Sequence, residues 1–389
     1  MVRSHLSPYD LSPNQFFSNV SLDDIAVTIL SQINHPDWTT IYSPFVLFVF
    51  AIFTPSFTTI LLKFLYLSLD IFIFHIIKRS YGRKLSILLW LLPIWIKEIH
   101  WNLHFEILIV FFIFLTRLSY FKKRIYVSSF LYGLSFHIKL TSVIFCFEIF
   151  NIFLKFLKTK KNKVYKCFGL GLFFFLGFGL FFFAFKLYFY DVKISFGITK
   201  IIQFTNDFRF NQFFQRTLFL ILPGLERIVL LPILITIIFY IYSLKAHKTK
   251  VRYKDKTFEY KFYFLFGYSA LILIPVQNPW YFLLLLPYLP SARKLFLIPS
   301  LILLWIPQVS YITNVRLGLL SDWFYEIPSE IYLWEALLSG FCLIVLFGQR
   351  FILLYKISNI SNMDSIITYE GDPDGRRAKE PRKTYWKRS

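Results

Sequence analysis

Residues 84–124 read KLSILLWLLPIWIKEIHWNLHFEILIVFFIFLTRLSYFKKR. Two apolar runs flank a polar knot at Glu98–Glu106, and the outer ends of the runs are basic, Lys84 on one side and Arg117–Arg124 on the other. Lys and Arg beside apolar segments hold loops in the cytoplasm, so the polar knot is expected on the opposite side of a membrane. The alternation continues along the chain. Basic clusters at 78–84, 117–124, 155–166, 245–261 and 293–294, and a basic tail from Arg350, alternate with less basic connections around Glu98, Lys139, 191–216, Asn278 and 314–330. The pattern predicts an all-α polytopic transmembrane bundle of about eleven spans with a cytoplasmic C-terminus. The candidate spans are 57–77, 84–97, 102–118, 125–138, 141–157, 167–190, 217–243, 262–276, 280–291, 295–313 and 331–355.

Composition agrees. Of 389 residues 56% are hydrophobic and the mean hydropathy is +0.56, which leaves no room for a sizeable soluble domain. The 50 Phe residues run all round the candidate helices and mark no single stripe. A net charge of +21 invites a nucleic-acid partner, but the charge sits in short clusters between apolar segments, so none is expected. Cys146, Cys167 and Cys342 lie in or beside apolar segments with no CxxC spacing, which indicates neither a disulfide framework nor a structural metal.

Three regions follow: an external loop over 1–42, a transmembrane helical domain over 43–355 and a cytoplasmic basic tail over 356–389. The stretch 43–55 is too short to span and suits an interfacial or half-inserted helix. Segments 84–97 and 280–291 fall short of the ~20 residues of a straight span. Pro93, Pro279, Pro287 and Pro290 interrupt them. Such pieces persist at membrane depth where their backbone is buried in protein or lines a watery cavity, so a cavity open to the external side is expected. An odd number of crossings places the polar residues 1–42 outside, which leads to the expectation of a further transmembrane helix upstream.

On a continuous helix, Glu98, Asn102 and Glu106 follow at i, i+4 and i+8 and share one face within about 80°. Lys97, His100, Trp101 and His104 would gather on its flank. Ionisable groups inside a bundle are expensive and are functional or paired. Inverting transfer of a sugar from a phosphate needs a base for the acceptor proton and positive charge for the leaving phosphate. Glu98, His104 and Glu106 are the candidates for the base work, with Asp24 of the external loop as a further acid. Lys139 at an external helix end, and Lys200, Arg209 and Arg216 in 191–216, are candidates for the phosphate. Asp70, His75 and Glu148 are intramembrane polar groups without an evident partner, expected to link helices. There is no glycine-rich phosphate loop, which favours a donor carried by lipid over a soluble nucleotide sugar.

Three stretches carry a resemblance. Ser7-Pro8-Tyr9 and Leu11-Ser12-Pro13, followed by Asn34-His35-Pro36-Asp37-Trp38-Thr39-Thr40-Ile41-Tyr42-Ser43-Pro44, resemble the first external loop of bacterial GT-C superfamily glycosyltransferases, particularly the polyprenyl-phosphate-dependent mannosyltransferases. Glu98–Glu106 is similar to that group's "E…gH.D" stretch, with Glu106 where Asp is usual. Asn278-Pro279-Trp280-Tyr281 with Pro287 is similar to its late "PWY…lP" segment. The resemblance implies transfer of a hexose, mannose foremost, from a polyprenyl-phosphate donor to an envelope glycolipid or polysaccharide acceptor. It implies an integral protein of the bacterial cytoplasmic (inner) membrane with its active face external. His35, Tyr42, Asn102 and Trp280 join Lys139 and Arg209 as candidate substrate contacts. Membrane lipids are the remaining partners, and no cofactor is called for beyond the lipid-phosphate donor, with a divalent metal left open. The family's early catalytic acid precedes the Ser7-Pro8-Tyr9 position and has no counterpart in this sequence. A lipid-linked-oligosaccharide flippase or transporter and a non-catalytic descendant are the alternatives. The flippase predicts internal repeats, and no convincing repeat is found.

Overall fold

The computed structural model describes residues 7–18, 36–54, 59–158, 163–188, 256–271, 278–291 and 294–306, with isolated residues between 27 and 30 and between 334 and 342. Every regular element among them is helical. The chain divides into two units, Met1–Ser339 and Gly340–Ser389, and all elements named below belong to the first.

Helix α1 (Pro13–Ser18) opens with a reciprocal cap. Gln15 N–H donates to Ser12 Oγ at 3.2 Å, and Ser12 N–H donates to Gln15 Oε1 at 2.9 Å. Helix α2 (Pro44–Phe53) starts with Pro at its first position, where a missing N–H costs nothing. Helix α3 is Ile60–Tyr81, and Gly82, at φ 95°, turns the chain into α4 (Arg83–Trp90). Helix α5 (Pro93–Trp95) runs into a π segment, Ile96–Trp101. Helices α6 (Glu106–Phe121) and α7 (Ile125–Ile138) form a hairpin through Lys122–Arg124, with Lys123 at φ 61°. A short 3₁₀ helix (Leu140–Phe145) leads into α8 (Cys146–Lys158), followed by α9 (Lys163–Tyr188). Helix α10 (Lys256–Leu271), a long 3₁₀ helix (Pro279–Ser291) and α11 (Lys294–Trp305) complete the set.

Two helices are long and apolar enough to cross a membrane: Ile60–Tyr81, and Val164–Leu187 within α9. The pair Pro93–Trp101 and Glu106–Phe121 makes a third only if counted as one span, and it is bent by 113°. Charge alternation predicts about eleven crossings. Between 83 and 121 and over 279–291 the chain is broken at Leu91–Pro93, at Asn102–Phe105 and around its prolines, so the helices there are shorter than a span. The predicted span 217–243, most of 331–355 and the ends of 262–276 and 295–313 lie outside the described residues. The short helix expected near 43–55 is α2.

Breaking a helix need not shorten its reach. A 3₁₀ helix rises about 2.0 Å per residue against about 1.5 Å for an α-helix, so the 13 residues Pro279–Ser291 reach ~26 Å of a ~30 Å hydrocarbon layer. Its side chains from Tyr281 to Leu289 are all buried. In 3₁₀ geometry the carbonyl of Pro287 would accept from residue 290, but residue 290 is proline and has no N–H. Arg117 fills the gap: its Nη1 donates to the Pro287 carbonyl at 2.6 Å. The same guanidinium holds Glu148 through Nε (2.7 Å) and Nη2 (2.6 Å) and lies 4.9 Å from the Tyr288 ring centroid. Sequence pattern places Arg117 in a cytoplasmic basic cluster and leaves Glu148 alone. The structure gives Glu148 its partner and the helix-linking place expected of it: the two form a buried bidentate pair that also completes a proline-broken helix.

Helix α7 packs between α6 and α9. Its approach to α9 is backbone on backbone, with Gly133 against the Phe174 carbonyl and Gly177 against the Phe130 carbonyl. On its open side α9 exposes Phe168, Phe175, Phe183 and Leu187, and α3 exposes Ile60, Phe64 and Ile71. Contiguous apolar faces of this kind on two membrane-length helices suit lipid rather than water.

A Cβ added at Gly177 would sit 2.1 Å from the Phe130 carbonyl oxygen, whereas one at Gly171 or Gly179 meets nothing within 4 Å. Gly177→Ala should therefore lower Tm in detergent, overpacking costing ~1–3 kcal/mol. Gly171→Ala and Gly179→Ala should be neutral or stabilising by up to ~1 kcal/mol, the helix preference of Ala over Gly. Equal melting of the three variants would contradict the close approach.

Candidate functional site

The polar knot at 98–106 is built by the end of a helix. Asn102 N–H donates to the Lys97 carbonyl at 2.8 Å, a π-type bond that closes the segment. Leu103 then takes φ 56°, a left-handed conformation costly for a branched side chain. His104 N–H returns to the Glu98 carbonyl at 2.9 Å, one residue longer than the closure that ends many α-helices, in keeping with the wider π turn it follows. Phe105 offers no side-chain cap, and Glu106 opens α6, where the helix dipole favours a carboxylate. Glu98, Asn102 and Glu106 therefore do not share one helix face, contrary to the i, i+4, i+8 reading. Glu98 and Asn102 keep their contact, Asn102 Nδ2 donating to Glu98 Oε2 at 2.9 Å. Glu106 belongs to a new helix.

The carboxylates anchor two halves. Glu98 is fully buried, with His104 Nε2 at 3.5 Å and Lys97 Nζ at 3.9 Å. Trp280 stacks on the His104 ring, centroids 3.9 Å apart and planes within 17°. Glu106 is also fully buried, and Lys139 Nζ donates to its Oε1 at 2.5 Å. Lys139 caps the far end of α7, so this bond joins the start of α6 to the end of α7. The ammonium lies 3.9 Å from the Tyr281 ring centroid and 5.0 Å from that of Phe105. Neighbours Trp280 and Tyr281 thus serve the two halves, one on His104 and the other on Lys139.

The N-terminal stretches close the same end. Tyr42 meets Phe105 edge-on at 5.3 Å, and the Tyr42 carbonyl accepts from Tyr9 Oη at 2.5 Å. Thr40 N–H donates to the Pro8 carbonyl and Asn14 N–H to the Pro36 carbonyl, both at 2.9 Å. The 7–14 and 36–42 stretches are thereby laced together beside Phe105. Tyr42, Glu98, Asn102, His104, Glu106, Lys139 and Trp280, seven residues singled out from the sequence, meet at the end of the α6–α7 hairpin opposite Lys122–Arg124. Asp24, His35 and Arg209 lie outside the described residues, as do Lys200 and Arg216.

Electrostatics separates the roles. Burial holds the His104 imidazole down to a pKa of about 4, outweighing the pull of Glu106, with Lys139 and Lys97 adding to the depression. At neutral pH the ring is uncharged, which suits stacking and hydrogen bonding better than taking a proton. Burial works against the Lys139 charge, but Glu106, Tyr281 and Tyr42 outweigh it and raise the ammonium above its ordinary value. Lys139 is a fixed positive charge.

Asp70, expected from the sequence to link helices, is the centre of a second cluster whose other members were not anticipated. Asp70, in the middle of α3, accepts from Trp90 Nε1 (2.6 Å) and Trp95 Nε1 (2.9 Å), and His100 Nε2 lies 2.8 Å away. His100 thus turns to α3 while His104 turns to Glu98, so the two imidazoles do not share a flank. Trp101 is 83% exposed and joins neither group. His75 Nδ1 lies 3.0 Å from the Ile71 carbonyl of its own helix. Two indoles near an intramembrane acid were the available signal. Phe105 and Tyr281 were also overlooked, although each adjoins a residue that was chosen.

Among the described residues no group of three His, Cys, Asp or Glu side chains could hold a metal ion. No protein-family model, curated protein or solved structure matches the chain.

The His104 pKa gives a signed expectation. The unfolded imidazole takes a proton near 6.5 and the folded one near 4, so its contribution to stability is full above pH 6.5 and is lost as pH falls toward 4. Wild-type Tm should fall more between pH 7 and 4.5 than that of His104→Phe, which keeps the stack without the titration. Equal pH dependence would contradict the buried neutral imidazole.

Proposed function

We propose that the chain is a polytopic membrane glycosyltransferase of the GT-C type, with about eleven crossings by charge alternation. It transfers a hexose, mannose foremost, from a polyprenyl-phosphate donor to a glycan or glycolipid acceptor at the external face of a bacterial cytoplasmic membrane. One observation carries the proposal. Residues from four distant parts of the sequence, chosen for sugar–phosphate chemistry or through the GT-C resemblance, converge at the end of the helices away from the basic turn Lys122–Arg124.

The chemistry assigns the parts. Inverting transfer joins the acceptor oxygen to the sugar's anomeric carbon as the bond to the phosphate oxygen breaks. The electron pair leaves with the phosphate, and a carboxylate takes the acceptor proton. Glu98 and Glu106 are the buried carboxylates for that proton. Lys139 supplies the positive charge a departing phosphate needs. Trp280, flat against His104, and the edge of Tyr42 offer apolar surface to a sugar ring. His104 and Asn102 hold Glu98 in place.

Full-length protein in nanodiscs, given a radiolabelled polyprenyl-phosphate hexose and membrane glycolipid, should move label to the acceptor. The double variant Glu98→Gln, His104→Ala should lose at least ~100-fold, the lower range for removing acid–base assistance. Full activity in that variant would sink the site assignment. Absence of transfer by wild type with every polyprenyl-phosphate hexose would overturn the transferase and favour the non-catalytic or transport alternatives.

A further inference from the structure

The Lys139–Glu106 pair is unusually placed for a reaction that needs both groups. It commits the phosphate-binding cation and one candidate base to each other. It is also incomplete. Glu106 Oε1 accepts from Lys139, but Oε2 is buried and has no hydrogen-bond partner among the described residues. A buried carboxylate with half its acceptors unused is costly. The faces of Tyr281 and Phe105 lie against the ammonium, so Glu106 is its one described oxygen partner. The first turn of α6, a helix of 16 residues, has no side-chain cap from Phe105; Leu108 N–H donates to the Phe105 carbonyl at 2.9 Å, and the N–H groups of Glu106 and Ile107 precede the first intrahelical bond. A cation, a helix N-terminus and a loosely satisfied carboxylate therefore converge on one spot, and the first two favour an anion richer in acceptor oxygens than a carboxylate.

We propose that Lys139 exchanges partners: the phosphate of a lipid-linked donor takes the place of Glu106 on Lys139, and Glu106, released beside the acceptor, becomes the base. The proposal rests on the transferase reading and deepens it, because it makes donor binding a condition for base release. The proton of the acceptor hydroxyl moves to a Glu106 carboxylate oxygen, the acceptor oxygen bonds the anomeric carbon, and the phosphate leaves on Lys139 with the electron pair of the broken bond.

The exchange predicts that removing the carboxylate charge strengthens phosphate binding while abolishing transfer. Radiolabelled polyprenyl phosphate is titrated against full-length protein in phosphatidylcholine nanodiscs. Glu106→Gln should bind about tenfold tighter than wild type, the scale of one charge-assisted hydrogen bond, and Lys139→Gln should bind about tenfold weaker, with recovery in Lys139→Arg. A misfolded variant cannot gain affinity, so tightening in Glu106→Gln is its own folding control. Equal or weaker binding by Glu106→Gln overturns the exchange even where wild type transfers sugar. Wild-type binding that tightens in Glu106→Gln, without transfer by any variant, supports the exchange and overturns the transferase reading alone. Displacement of the label by inorganic phosphate assigns recognition to the phosphate group itself. Displacement by phosphatidylglycerol in the disc, with none by inorganic phosphate, assigns the pocket to bulk lipid headgroups and overturns the proposal.

Discussion

A half-buried lysine and a fully buried glutamate between helix ends set the terms for the rest of this molecule. Neither Lys139 nor Glu106 is stable alone away from water, so the end of α7 must lie where α6 begins. That requirement fixes the hairpin at the end opposite its basic turn. It also draws in the aromatic faces of Phe105 and Tyr281 against the ammonium, and with Tyr281 comes Trp280, which meets His104. Glu98 is held through His104 and Asn102. Much of the candidate site is a consequence of one charge being kept out of lipid.

The second constraint is backbone satisfaction. An apolar chain that stops being α-helical must place each freed N–H and C=O, and the described residues show two solutions, beside a third place where two regular helices approach backbone to backbone. The π segment Ile96–Trp101 ends in a left-handed leucine and a bond from His104 back to Glu98. The long 3₁₀ helix gains reach by its steeper rise, and the carbonyl orphaned by Pro290 is taken by Arg117. The α7–α9 crossing removes the side chains at Gly133 and Gly177 so that carbonyls can approach. The π segment is closed by its own following residues, and the 3₁₀ helix by a side chain from another helix. This explains how elements shorter than a membrane coexist with the two helices that are long enough.

Much of this was legible in the sequence, and the failures share a cause. Helical character and the division into basic and polar ends follow from hydropathy and the placement of Lys and Arg, which are summed over many residues. Glu98, His104, Glu106 and Lys139 could be chosen because ionisable groups at apolar boundaries are few, and Tyr42 and Trp280 through the resemblance that their stretches carry. What could not be read was pairing. The helix geometry assumed for 98–106 ends at Asn102, a break decided by a single left-handed residue that carries no glycine to announce it. Arg117 looks like one of four basic residues in 117–124, and only the three-dimensional proximity of Glu148 and Pro287 turns it inward. Asp70 has no near neighbour in sequence that explains it, because its donors come from 20, 25 and 30 residues away. Lys139 and Glu106 were assigned separate tasks, when their first relationship is to each other.

The central claim is therefore the coupling between these two side chains, and a double-mutant cycle on thermal stability tests it most directly. Wild type, Lys139→Met, Glu106→Gln and the double variant are melted in the same detergent at pH 7. The account predicts strong non-additivity, with each single change leaving a buried charge unpaired and the double variant more stable than the sum implies, by ~0.5–3 kcal/mol for directly contacting groups. Additive losses within ~0.5 kcal/mol would mean that the two residues do not meet, and the site built around them would fall with that result.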